Sequence, residues 1–214
     1  MLWIMMLHLL LSLLLQHHTG AAHTFEEVDK WVAEFEDPAR LQWQKPDEVV
    51  AALGLSPGAR VADIGAGSGF FSRRFAAAVG PQGVVFAVDV EPGMLRYISS
   101  RAKKEGQENV VPVLGAFDDP NLPRGGVDVV FICDTIHHVS DREGYYAVLK
   151  RDLAPGGRLV IVDFEKQKDV PVGPPIEMRI DKAELVREIE KAGFKLQRDV
   201  KLLPYQYFIV FGLP

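Results

Sequence analysis

"VADIGAGSGFF" (residues 61–71) puts one acid, Asp63, inside a short apolar run and follows it with Gly65, Gly67 and Gly69. "RVADI" (60–64) reads as a strand, and the spacing predicts a helix over 68–78 with Phe71, Phe75 and Ala78 on one face. A strand, a glycine loop and a helix make the first half of a βαβ unit. Glycine serves where φ is positive or where a ligand lies against the backbone. Three of them cost conformational entropy that a plain turn does not need. The loop is therefore read as a ligand site, with a tight strand-to-helix turn as the alternative.

The neighbouring residues narrow the ligand. A dinucleotide loop wants a small residue where Phe70 stands, and the third glycine arrives one position early. No Gly-Lys-Ser or Gly-Lys-Thr follows the loop. A carboxylate at Asp63 would repel a pyrophosphate and suits an ammonium group. A second strand, "GVVFAVD" (83–89), ends in Asp89, 24 residues after Gly65. An acid there takes both ribose hydroxyls and repels a 2′-phosphate. The ligand so described carries a ribose and a positive group. Met94, just inside the next helix, packs either an adenine face or the core.

Outward from this loop, strands and helices alternate. Met94, Leu95, Ile98 and Ala102 mark a helix ended by Gly106. "VVPVL" (110–114) is a third strand and "VDVVFICD" (127–134) a fourth, whose unbroken apolar run implies burial on both faces. Tyr145, Leu149 and Leu153 mark a helix closed by Pro155-Gly156-Gly157, and "RLVIVDF" (158–164) is the fifth strand. Asp181 caps a helix in a D-x-x-E arrangement with Glu184; Leu185, Val186 and Ile189 form its buried face and Gly193 ends it. The pattern is α/β, a doubly wound parallel sheet. The tail departs from it: "FKLQRDVKLL" and "YQYFIVFG" follow each other across Pro204, which reads as an antiparallel hairpin.

The domain limits follow. Residues 56–214 form the sheet domain. Residues 23–55 are a helical, amphipathic flap over one end of the sheet, with Phe25, Val28, Val32 and Phe35 on one face. Residues 1–22 are a hydrophobic leader. Its apolar run, 2–15, is short for a membrane span and resembles the core of a secretory signal, with Gly20-Ala21-Ala22 as a cleavage site. The first Lys or Arg is Lys30, so the basic start of such a signal is missing, and translation from Met5 or Met6 is the alternative.

Composition excludes several classes. A chain of 214 residues suits one ordinary domain. Net charge is −5 and no dense basic block occurs, which argues against nucleic-acid binding by a basic patch. Cys133 is the only cysteine, so no internal disulfide and no cysteine cluster for a metal is available.

With these motifs in order, the chain resembles the class I S-adenosylmethionine-dependent methyltransferases over about residues 40–214. "VADIGAGSGFF" is similar to their first motif and "VVFAVDVEPGML" to the second. "VDVVFICDTIHHVSD" and "LKRDLAPGGRLVIVDF" resemble the fourth-strand and fifth-strand segments, and the terminal hairpin matches. The nearest likeness is to the ubiquinone and arsenite branch, although one cysteine does not suit arsenic chemistry. The resemblance implies a mostly parallel seven-stranded sheet of order 3-2-1-4-5-7-6 with helices on both faces. It implies S-adenosylmethionine as cofactor and S-adenosylhomocysteine as product. It places the methionine moiety at Asp63, Gly65, Ala66, Gly67 and Gly69, the ribose at Asp89, and the adenine near Met94 and the residues after the third strand, with Val90 also in the cofactor site. The adenine motif after the third strand is commonly Gly-Asp-Ala; here "LGAFDDP" displaces the acid to Asp118 or Asp119. Asp134 lines the cofactor pocket.

The resemblance implies a small-molecule acceptor. His137 and His138 follow the fourth strand, and an imidazole there suits a general base. Adjacent side chains point apart, so one of the two is expected to face the site, His138 being preferred. Trp31, Phe35, Trp43, "DVPVGPP" (169–175) and Tyr205–Tyr207 are candidates for an apolar acceptor pocket, or core. The alternatives are an NAD-dependent oxidoreductase and a binder of the cofactor without turnover. Cofactor supply implies a cytoplasmic or membrane-associated protein, whereas a true signal implies export. Oligomeric state is not readable.

Overall fold

The computed structural model describes residues 28–214. The leader, and Phe25 of the flap, lie outside the described residues. Among the described residues no helix is long and apolar enough to cross a membrane.

Strands β1 (Arg60–Ile64), β2 (Val84–Asp89), β3 (Val110–Leu114), β4 (Val127–Cys133), β5 (Leu153–Phe164), β6 (Lys195–Val200) and β7 (Gln206–Gly212) form one sheet. Its order is β3-β2-β1-β4-β5-β7-β6, as expected. The first five strands are parallel, and β7 runs antiparallel to both β5 and β6. Two apolar layers sandwich the sheet. Because side chains alternate along a strand, Val129, Phe131 and Cys133 of β4 enter one layer while Val130 and Ile132 enter the other. The first layer takes Phe75 from α4 (Ser72–Val79) and Ile98 from α5 (Pro92–Lys104). The second takes Tyr146 and Leu149 from α6 (Arg142–Asp152), and Leu185 and Ile189 from α7 (Lys182–Lys191). Burial on both faces is why β4 has no polar alternation.

Two local expectations are corrected and a third is refined. Helix α4, after the glycine loop, starts at Ser72, not Ser68, because Gly67 and Gly69 hold φ of +54° and +73°, outside the right-handed helix. Leu153 does not close α6 but opens β5, pairing with Val127. The ladder then skips to Arg158 opposite Val129, and Pro155-Gly156-Gly157 forms the bulge between them. The stretch read as a helical flap holds three short helices among the described residues: α1 (Val28–Phe35), α2 (Arg40–Gln44) and α3 (Pro46–Leu53). Lys45, in the left-handed region at φ +44°, separates the last two. Helix α3 is part of the core, with Val49 and Leu53 at 0% exposure, whereas α1 buries no residue fully.

Candidate active site

The carboxyl ends of β1, β2, β4 and β5 meet at one edge of the sheet. Reversed β7 brings its first residue, Gln206, there too, opposite Phe164. The strand order switches direction between β1 and β4, the place where open α/β sheets bind ligands.

The three loop glycines have φ of +71°, +54° and +73°. Two of them also serve packing. A Cβ on Gly65 would lie 2.1 Å from Oγ1 of Thr135, in the turn after β4, and one on Gly69 would lie 3.2 Å from Ile98. A Cβ on Gly67 would instead meet the ring of Phe35 at 3.0 Å, from helix α1. Gly67 thus presents an open backbone face to a segment outside the sheet. Its N–H donates to Oδ2 of Asp89 at 2.8 Å, and the Glu91 N–H donates to Oδ1 at 3.0 Å. Burial raises the Asp89 carboxyl and these N–H groups pull it back. Each of its oxygens keeps a lone pair for a hydroxyl.

Gly65 and Ala66 donate their N–H groups to the Val88 carbonyl at 2.9 Å, which seals the loop to β2. Val90 is half-buried. Met94 is fully enclosed, which is its core placement. Asp118 is exposed, and its neighbour Asp119 accepts from Arg151 at 3.2 Å.

Asp63 is 3% exposed and accepts from Oγ of Ser72 at 2.5 Å, bracing β1 against α4. Burial pushes its carboxyl up to about 7, with the Ser72 hydrogen bond opposing. In the unfolded chain it titrates near 3.9, at about that reference value. The folded state therefore holds the extra proton between these values, and this contribution to stability is present at acid pH and lost as pH rises through 7. Asp63→Asn, which cannot ionise, is expected to gain stability relative to wild type between pH 5 and pH 8. The gain should be of the order of 2–4 kcal/mol, at about 1.4 kcal/mol per pKa unit. Urea unfolding at the two pH values checks it; a difference that does not change with pH would refute it.

The turn after β4 holds a second acidic centre. Asp134 sits in the left-handed region at φ +53°. One of its oxygens accepts from Nε2 of Gln44 at 2.8 Å and the other from Nε2 of Gln206. The Arg40 guanidinium stands 4.0 Å away and lies over the Phe70 ring, 4.4 Å from its centre. Burial and the Asp163 charge push Asp134 up to about 6, against Arg40 and Gln44. The two histidines do not diverge as expected: the 3₁₀ turn at Ile136–His138 brings their ring centres within 4.3 Å. His138 is exposed. The His137 side chain is 3% exposed, and its Nδ1 lies 2.9 Å from Oδ2 of fully buried Asp163. Burial lowers the His137 pKa, but the Asp163 hydrogen bond and charge outweigh it, and the net shift is upward. Buried Cys133 has its thiol pushed well up by desolvation, which removes it as a nucleophile.

Reading the sequence missed Arg40, Gln44 and Asp163. Asp163 had a signal, since it is a lone acid in an apolar strand, as Asp63 is. Gln44 and Arg40 had none, because their helix reaches the site only through tertiary contact. Next to Gln206 a cavity of about 290 Å³ opens, lined by Lys45, Leu202, Leu203, Pro204 and Tyr207 among others. The loop over 169–175 is pinned nearby. Arg179, 6% exposed, donates to the carbonyls of Pro174 at 2.8 Å and Val172 at 3.0 Å. Among the described residues, no three or more His, Cys, Asp or Glu side chains are grouped to hold a metal.

A family model described as a methyltransferase domain matches residues 55–201. The chain is 36% identical over 114 residues to the ubiquinone/menaquinone biosynthesis C-methyltransferase of Ectopseudomonas mendocina, covering 53% of this chain and 44% of that protein. It is 30% identical over 132 residues to the enzyme of that name from Cupriavidus taiwanensis, covering 62% and 52%. The chain thus spans about half the length of these curated relatives. Among solved structures it is similar to a SAM-dependent methyltransferase from Aquifex aeolicus. The TM-score is 0.82 and the identity 30%, over 88% of this chain and 99% of that one.

Proposed function

Since the chain belongs to the methyltransferase-domain family, we propose that it transfers a methyl group from S-adenosylmethionine to a small, partly apolar acceptor. The observation that carries this is the meeting of Asp89 with the N–H of Gly67 at 2.8 Å, at the switch point of a sheet whose β7 is reversed. The residues fit such a cofactor: a carboxylate with lone pairs for two ribose hydroxyls, a glycine face that a Cβ would fill, and acids at 63 and 134 to favour a cation. When bound, S-adenosylmethionine supplies an electrophilic methyl group on a sulfonium. Asp89 holds the ribose. Gly67 gives the backbone clearance. Asp63 and Asp134 offset the positive charge.

For an acceptor that must lose a proton, His137 is the favoured base. Asp163 fixes its Nδ1 and leaves Nε2 to take the proton, which replaces the sequence preference for His138. The cavity beside Gln206 is the favoured acceptor entry. Its leucines and proline stand beside Lys45, Glu165, Asp199 and Lys201, which suits an acceptor with both an apolar and a polar part. Nothing in the sheet or the comparisons favours an oxidoreductase.

Calorimetric titration with S-adenosylmethionine and with NAD tests the cofactor. Binding of the first and none of the second is expected; the reverse would refute the proposal. Labelled-methyl transfer into a metabolite extract tests turnover. His137→Asn is expected to lose most of the rate and His138→Ala little. Tight cofactor binding with background transfer by wild type would make the chain a silent binder.

A further inference from the structure

Helix α1 and the loop after it lie on the glycine loop through contacts of ligand-like chemistry. The Phe35 ring covers Gly67, the loop glycine whose open face no sheet residue fills. Behind the ring, Glu36 forms a latch. It accepts from Oγ of Ser68 at 2.6 Å and takes both of its oxygens to one nitrogen of Arg73 at 2.9 Å. Arg73 in turn donates to the Ser68 carbonyl at 3.0 Å, so the latch closes on the loop itself. The Arg73 and Glu36 side chains are only 11% and 25% exposed, which keeps this pair from being a solvated surface bridge. A few residues on, Arg40 donates to the Phe35 carbonyl at 2.5 Å and faces Asp134 at 4.0 Å.

A side chain on the glycine face beside Asp89, and one cation among the site's acids, take the space and the charge that a ribonucleoside sulfonium would use. The geometry points to residues 35–40 as a self-inhibitory plug. Phe35 and Arg40 occupy the cofactor site, Glu36 latches them through Arg73 and Ser68, and cofactor entry requires release of the latch. This rests on the cofactor reading above. A closed fraction lowers apparent affinity in proportion to the open fraction, so loosening the latch should tighten binding. A segment that instead completes the site would behave in the opposite way.

Hydrogen exchange of amides 28–36 in the full chain, with and without S-adenosylhomocysteine, separates the two, together with calorimetry on wild type, Glu36→Ala and Phe35→Ala. In wild type, exchange in α1 should quicken several-fold when the product is added. In Glu36→Ala it should already be fast without it. Both variants should bind S-adenosylhomocysteine tighter, by about tenfold if the open form is about a tenth of the population. Phe35→Ala guards against a folding defect peculiar to the other variant. Slower exchange in α1 on binding, or weaker binding by both variants, would overturn the plug while leaving the cofactor reading intact. Binding by the variants but not by wild type would support it strongly. No binding by any of the three would overturn the cofactor reading and the plug with it.

Discussion

Asp89→Asn should weaken binding of S-adenosylhomocysteine by at least about a hundredfold, two charge-assisted hydrogen bonds at about 1.5–3 kcal/mol each being at stake. The amide cannot reproduce the carboxylate. It offers one acceptor oxygen where two N–H groups, of Gly67 and Glu91, already point. Its NH₂ would face one of those donors, and a single oxygen lone pair would remain for the two ribose hydroxyls. The fold should survive, because burial already disfavours the charged form of Asp89. Calorimetry on a variant with a wild-type melting curve is the measurement. Undiminished affinity would remove Asp89 from the site.

Gly65→Ala should destabilise the protein by about 2–5 kcal/mol, from a left-handed backbone cost of about 1–2 and an overpacking cost of about 1–3. The residue has φ +71°, and its Cβ would stand 2.1 Å from Oγ1 and 2.8 Å from Cβ of Thr135. The two costs separate in a double-mutant cycle. Adding Thr135→Gly removes the collision and leaves only the backbone cost, so the pair should show a favourable coupling of about 1–3 kcal/mol. Gly67→Ala should cost less, because its neighbour is the Phe35 ring on a helix that buries no residue fully. Denaturant midpoints decide the order. A Gly65→Ala protein as stable as wild type would mean that Thr135 does not pack as described.

The legible parts of this protein were those in which neighbours along the chain do the physical work. The limits of β1 and β3, the D-x-x-E cap at Asp181 and the reversed hairpin came from periodicity, capping and turn residues, all of short range. Asp89 was legible because a strand end next to a glycine loop admits few uses for an acid. Where the sequence misled, it did so at junctions. Leu153 kept helical spacing, yet pairing with Val127 drew it into β5, since a ladder bond to a distant strand outweighs one more helical residue. Lys45 carries no sign of a left-handed backbone, and so the break between α2 and α3 was not legible.

The sequence by itself determined the class of sheet, the order of its βα units and the acid that ends β2 beside the glycine loop. Each depends on local alternation of apolar and polar groups and on a few residues with special backbone freedom. Only the tertiary structure decided what fills the site's remaining space. Thr135 against Gly65, Phe35 over Gly67, Gln44 and Gln206 on Asp134, and Asp163 behind His137 join residues from separate elements. Such contacts are set by how helices and strands pack around a common edge, where a few tenths of an ångström separate a contact from a clash, and no spacing along the chain encodes that distance.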